Sequence, residues 1–391
     1  MPDNTENNFI HSSPPEIQYW ASSEIEVEED DGDEPCLPPQ PISQPVSQYI
    51  NTFITEGKFI RKTMKQEELS LICLQCDKKL IEGKDCYWTY GFKGVNAKNQ
   101  LFVICATCLP LFKQCVCCGR HFREKELQLG HCDQCIENAP HQYIHNYKYK
   151  VEKDFAMIGK PPKDQIYYGV ELELESENLG LDVLIVNSLI KNFACLKRDS
   201  SIKHGFEIVS APAIIEEHYH IWDEFFTKLP ATCHPLKSCG MHVHASRERM
   251  SDLQIGKILE FLHNRNNQEF IKLIAGREKP VFLGNGKGYH ELEPKKIADM
   301  KVPIDRHSAL NLNNGETIEF RIFWATRDKR IFLKNIEFCR AMIKWTDWAT
   351  TSIQDSIDYR RFIEFVKRNR KDYEYLCLFF ETPSMKRLLE L

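Results

Sequence analysis

A chain of 391 residues with 42% apolar and 11% aromatic side chains has enough apolar surface for a sizeable core, and enough length for two domains plus a tail. The net charge of -5 hides a division: residues 1–45 carry eleven carboxylates and no Lys or Arg, which leaves the remainder at +6, too mild a balance for a dedicated nucleic-acid groove. No apolar run approaches the ~18–20 residues that span a bilayer, and the polar, acidic start MPDNTENNFI is unlike a secretory signal, so the sequence predicts an intracellular, cytoplasmic protein without a membrane partner.

Residues 1–48 join the acidic run Glu24 to Glu34 to the Pro-rich CLPPQPISQPVSQ, which buries too little apolar surface to offset the entropy of ordering it. This stretch is expected to be a disordered tail, with a docking arm as the alternative. Residues 49–140 are rich in cysteine, and ten of the chain's 16 cysteines fall between Cys73 and Cys135. They form C-x-x-C knuckles: Cys73 with Cys76, Cys105 with Cys108, Cys115 with Cys118, and Cys132 with Cys135. Each knuckle supplies two thiolates to one side of a tetrahedral ion, so these eight ligands imply two structural zinc ions in a reducing compartment rather than disulfides. The simplest pairing is sequential, and an interleaved one stays open. Cys86 and Cys117 are spare thiols, with His121 and His131 as alternative ligands. Closed four-sulfur sites leave no open coordination position, so a fold staple or a protein-contact module is the expected role.

A polar, aromatic connector over 141–164 leads to a third region, 165–391, where the pattern changes. The period-2 run YYGVELELE predicts a strand, followed by a helix in DVLIVNSLIKNF, a strand at Phe206 to Ser210, a helix through EEHYHIWDEFFTKL, and a strand at Met241 to Ala245. Residues 251–276 predict one helix, with Ser251 and Gln254 as a capping box and Gly276 as its end. Two strands, ALNLNN and TIEFRIF, meet at Asn313-Asn314-Gly315, and helices are expected from about Asp328 to Thr350 and Ser356 to Arg370. The glycine-rich, basic segment Arg277 to Lys301 is expected to be a flap over a ligand, and its GNGKG does not satisfy the phosphate-loop spacing. This order predicts an α+β fold with a largely antiparallel sheet, helices on one face and a polar cavity on the other, preceded by a small zinc-stabilised domain.

Alternation places Glu171, Glu173 and Glu175 on one face of a strand while Val170, Leu172 and Leu174 enter the core. Later strands repeat the device: Glu207 in FEIVS, His242 and His244 in GMHVH, and Glu319 beside Arg321 in IEFRI. Charges facing a low-dielectric interior are costly unless paired or bound to metal, so a face lined this way suits cations and an anionic ligand. Carboxylate oxygens favour Mg2+ or Mn2+, and clustered carboxylates can hold two such ions across a polyphosphate. His242-x-His244 with nearby carboxylates also leaves a metal-dependent hydrolase open, and a non-catalytic zinc scaffold is the third reading.

The ordered set GVELELE, RDSS with FEIVSAP, CGMHVHAS, and NLNN with TIEFRIF resembles the amidoligases, carboxylate-amine ligases related to glutamine synthetase and glutamate-cysteine ligase, over residues 165–350. The resemblance implies a curved sheet of the glutamine synthetase kind, and metal binding by Glu171, Glu173, Glu207 and Glu319. It also implies a role near metal and phosphate for His242 or His244, and phosphate stabilisation by Arg321. It implies that ATP phosphorylates a substrate carboxylate and that an amine, perhaps on a peptide or protein, then attacks the acyl phosphate. Arg247, Arg327 and Asn313 follow these motifs and are expected as contacts to the nucleotide or substrate, with Asp199, Ser200 and Asn311 as further candidates. The zinc region is expected to help present the acceptor, and phosphorylation without ligation remains an alternative within the superfamily.

Overall fold

The computed structural model describes residues 71–73, 75–76, 78–80, 86–90, 101–151, 155–159, 166–276, 308–347 and 357–390. The acidic and Pro-rich tail, the segment Arg277 to Lys301 and part of the connector lie outside the described residues.

The cysteine-rich region is built from short strands. Strands β1 (Leu71–Ile72) and β2 (Lys79–Leu80) pair as a hairpin around the first knuckle. Strands β3 (Cys86–Tyr90), β4 (Leu101–Cys105), β5 (Phe112–Gln114) and β6 (His121–Arg123) form a four-stranded sheet in the order β4-β3-β6-β5. Strands β7 (Leu127–Gln128) and β8 (His131–Cys132) close a second hairpin. Among the described residues the buried apolar side chains form one cluster of Cys73, Ile104, Cys105, Cys108 and Phe112, and another of Cys115, Phe122 and Cys132.

Cys132 immediately precedes helix α1 (Asp133–Tyr143), whose end runs into strand β9 (Ile144–His145). The larger sheet continues through β10 (Tyr168–Ser176), β11 (Ala194–Lys197), β12 (Gly205–Ser210), β13 (Cys233–His234), β14 (Gly240–Ser246), β15 (Leu310–Asn311) and β16 (Thr317–Trp324). Its order is β15-β16-β14-β10-β12-β11-β9, with β13 on the end of β10, and all pairings are antiparallel except β11 with β9. The mixed α+β architecture with a mostly antiparallel open sheet therefore follows the alternation in the sequence. The stretch expected as a connector contributes an edge strand of that sheet.

Register explains the two faces. Leu172, Ile208, Leu196 and Ile144 lie side by side across β10, β12, β11 and β9, and each is buried. Together with Val243 and Phe320 they join helices α2 (Leu179–Ile190), α5 (Asp252–His263), α6 (Gln268–Ala275), α7 (Lys329–Trp345), α8 (Tyr359–Arg368) and α9 (Glu374–Phe380) in one continuous core. In this label order, α3 (Ile215–Ile221) and α4 (Asp223–Lys228) are two short helices where one was expected, with the fully buried Trp222 at the break. Helix α10 (Pro383–Glu390) ends the described chain.

Glu337 of α7 accepts from Tyr219 Oη at 2.8 Å and from the Leu376 amide at 2.7 Å, tying three helices together. Helix α2 approaches α1 closely enough that a Cβ on Gly180 would collide with the Ile136 carbonyl, so only glycine allows this packing.

The helix expected over 251–276 is divided. Ser251 caps it by accepting from the Gln254 amide at 3.2 Å, but the Gln254 side chain turns inward to the Ile343 carbonyl at 2.7 Å instead of completing the box. Asn264 accepts from the Asn266 amide, and Asn267 donates to the carbonyls of Phe261 and Ile357, which breaks the helix between α5 and α6. Gly276 ends α6 with a positive φ of 71°, as the sequence predicts.

Candidate functional site

The polar face of the larger sheet gathers the charged residues that alternation places there. Glu171 of β10 is opposite His242 of β14, Glu173 is opposite Glu207 of β12, and His244 is opposite Glu319 of β16. Between Phe320 and Phe323, β16 holds one more residue than β14 does between Met241 and Val243, a bulge that contains Arg321.

The side chains interlock. His242 Nδ1 is 3.0 Å from Glu171 Oε2 and 3.5 Å from Glu319 Oε1, while its Nε2 is 3.9 Å from Glu173 Oε1. His244 Nε2 is buried and 3.2 Å from Glu171 Oε1, yet makes no hydrogen bond. Arg321 is paired with Glu319, whose other oxygen accepts from Asn311 Nδ2 at 2.7 Å. Glu173 accepts from the Gly240 amide at 2.6 Å.

Three overlapping groups have ligand atoms within 4.8 Å of one another: Glu171, His244 and Glu319; Glu171, Glu207 and His242; and Glu173, Asp199 and Glu207. The electrostatics differ from carboxylate to carboxylate. Burial opposes charge on Glu171, but His244 and His242 outweigh it and hold that carboxyl well below its ordinary range. Burial pushes Glu207 well up, and the neighbouring Glu171, Glu173 and Asp199 push it further. Glu207 is only 6% exposed, and its carboxylate has no hydrogen bond or ion pair among the described residues. Such a group is unfavourable in the metal-free chain and fits a divalent cation, since the donor set is mostly carboxylate oxygen.

The remaining expected residues fall elsewhere. Glu175, in line with Glu171 and Glu173, accepts from the amides of Lys203 and His204 and so fastens a turn. Arg327 donates to the carbonyls of Ala231 and Leu229, Arg247 lies 3.8 Å from Asp252, and Asn313 is exposed in the turn before β16. None of these three joins the carboxylate cluster through a contact among the described residues. Ser200 is exposed, whereas Asp199 enters the cluster. Lys197 was not read from the sequence. It extends the row of Glu173 and Glu207 onto β11.

The cysteines form two tetrads in sequential pairing: Cys73, Cys76, Cys105 and Cys108, then Cys115, Cys118, Cys132 and Cys135. Four sulfurs ~2.3 Å from one zinc are about 3.8 Å apart. Cys76 Sγ and Cys105 Sγ are separated by 3.8 Å, and Cys118 Sγ and Cys132 Sγ by 3.9 Å. The Cys105 and Cys132 amides donate to the sulfurs of Cys73 and Cys115, as suits thiolates. The tetrads can therefore hold zinc, and neither His121 nor His131 is needed. Cys117 lies outside the second tetrad, with its Sγ 3.9 Å from Tyr143 Oη.

Among the described residues no helix is long and apolar enough to cross a membrane. Comparison with protein-family models finds no match, and comparison with curated proteins finds none either.

Proposed function

We propose that the chain is an ATP-dependent carboxylate-amine ligase resembling the amidoligases, with a sheet of the glutamine synthetase kind. The observation that carries this reading is the convergence of groups from β10, β12, β14 and β16 on one sheet face, where excess carboxylate surrounds His242, His244 and Arg321. Glu171, Glu173, Glu207, Glu319 and Asp199 would hold Mg2+ or Mn2+, and the metal when bound would neutralise polyphosphate charge. Arg321 would stabilise charge on a transferred phosphoryl group; its guanidinium pairs with Glu319, which Asn311 holds in turn. His244, whose buried Nε2 lies 3.2 Å from Glu171 Oε1, would contact metal or phosphate. The carboxylate and amine substrates, including a peptide or protein amine presented by the zinc region, belong to the same proposal.

Glu207 supplies the test. In Glu207→Gln, relief of like-charge repulsion should raise the unfolding temperature of metal-free protein, while Mn2+ affinity falls about tenfold or more. ADP should appear only when nucleotide, carboxylate and amine are all supplied. Unchanged Mn2+ affinity would remove Glu207 from the site, and product formed without nucleotide would favour the hydrolase.

A further inference from the structure

The polar face does not end at the carboxylates. Across β10, β12, β11 and β9, Glu173, Glu207, Lys197 and His145 occupy one register row. The row beside it, Leu172, Ile208, Leu196 and Ile144, points into the core, so Lys197 and His145 share the face of the cluster. Lys197 is half-buried and makes no hydrogen bond or ion pair among the described residues, although carboxylates stand on the next strand. The ring of His145, the register partner of Lys197 on β9, stacks on Tyr149 at 3.8 Å between centroids and 10° between planes.

Position separates this cation from Arg321. Arg321 lies on β16 and Lys197 on β11, four strand steps apart, or about 19 Å at ~4.8 Å per step. The two cations therefore approach the central carboxylates from opposite flanks. An anion on the β11 flank then belongs to a different molecule or to a distant part of the ligand. The Lys197 charge favours an ionised Glu207 on the next strand, yet with no hydrogen bond or ion pair among the described residues to hold it the ammonium is the cation on this flank able to take an anion.

Resting on the proposed nucleotide site, we propose that Lys197 binds a carboxylate or phosphate group of the second substrate, which lies against the His145–Tyr149 stack on the flank opposite Arg321. The second substrate is then anionic beyond its reacting carboxylate, as a dicarboxylate or a phosphorylated acid is.

Calorimetric titration of the full chain with Mg2+ and a non-hydrolysable ATP analogue tests this, with glutarate, L-glutamate and inorganic phosphate as probes. At least one probe should bind wild type, and Lys197→Met should weaken it about tenfold or more, with Lys197→Arg recovering most of the loss. The ATP analogue itself should bind Lys197→Met within about twofold of wild type, and Arg321→Met should reverse the pattern. Dicarboxylate binding identifies a carboxylate as the anion, and phosphate binding alone identifies a phosphate. Loss of analogue affinity in Lys197→Met, with probe affinity kept, would overturn the inference by moving Lys197 to the nucleotide. So would the absence of probe binding to wild type with the analogue and with Mn2+ alone. If the analogue does not bind wild type, the nucleotide reading fails separately, and the probe titrations with Mn2+ decide Lys197.

Discussion

The cysteine-rich region and the large sheet reach a folded state by opposite means. Among the described residues the first buries a handful of apolar side chains, several of them the cysteines themselves, around two sulfur tetrads. The second packs a continuous core from eight strands and the helices that cover them, and uses its other face for charge. A core of that size tolerates an unfavourable polar face, whereas a region without one is expected to need the metal that its tetrads can hold. The regions are also joined: the helix that starts at Cys132 packs on the helix after β10, and its end supplies the edge strand beside Lys197.

Removing zinc should break the comparison most forcefully. Metal analysis should find two zinc ions per chain, and a strong chelator should remove ~10–16 kcal/mol of folding free energy per site. Limited proteolysis should then cut within residues 101–132, while the main unfolding transition of the sheet persists. Cys132→Ser should lose one ion, and Cys117→Ser should retain both. A chelated chain that resists proteolysis in this region would show that its fold does not depend on zinc.

The reciprocal change attacks the core. Phe270 is fully buried among the rings of Phe261, Phe338, Tyr359, Phe362 and Phe380. Phe270→Ala should cost about 3–5 kcal/mol in urea denaturation, with zinc content unchanged. A loss below ~1 kcal/mol would mean that the aromatic cluster collapses to fill the space.

What the sequence discloses follows from range. Alternation is local, so the strand carrying Glu171 and Glu173 is visible in ten residues, and so is the C-x-x-C spacing of each knuckle. The destinations of single polar side chains are set by distant backbone. Glu175 repeats the alternation of Glu171 and Glu173, yet two amides of a later turn take its oxygens. Arg327 follows a motif strand, and the carbonyls of Leu229 and Ala231 hold it away from the cluster. Lys197 ends the four-residue strand ACLK, too short to announce a face, and its register appears only once β12 lies beside it. The break at Asn264 has a local signal in the sequence NRNN, which the continuing apolar stripe masks.

Acid sharpens the comparison with the smallest effect. Protonating thiolates would release zinc held by the tetrads of the first region, while the large sheet has a different acid-sensitive group, His218. Trp222 Nε1 donates to His218 Nδ1 at 3.1 Å, and His218 Nε2 lies 2.9 Å from the carbonyl of Tyr168, the first residue of β10. One nitrogen therefore accepts and the other donates, which fixes a neutral ring. Burial lowers its pKa from 6.5 to about 4, despite the opposing bond to Tyr168. Below 6.5 the unfolded chain binds a proton that the folded chain refuses, so this contribution is complete at neutral pH and is lost as pH falls toward 4. The shift corresponds to about 3 kcal/mol. Glu337, whose carboxyl burial pushes up to about 7, acts with the opposite sign, losing its contribution as pH rises from 4.5. A difference measurement cancels that group and the thiolates. His218→Gln keeps an acceptor and a donor without titrating, so the stability gap between wild type and variant should shift by about 3 kcal/mol against wild type from pH 7 to pH 4. A gap that stays flat would mean that the folded chain admits the proton, through a rearrangement of Trp222 that frees Nδ1.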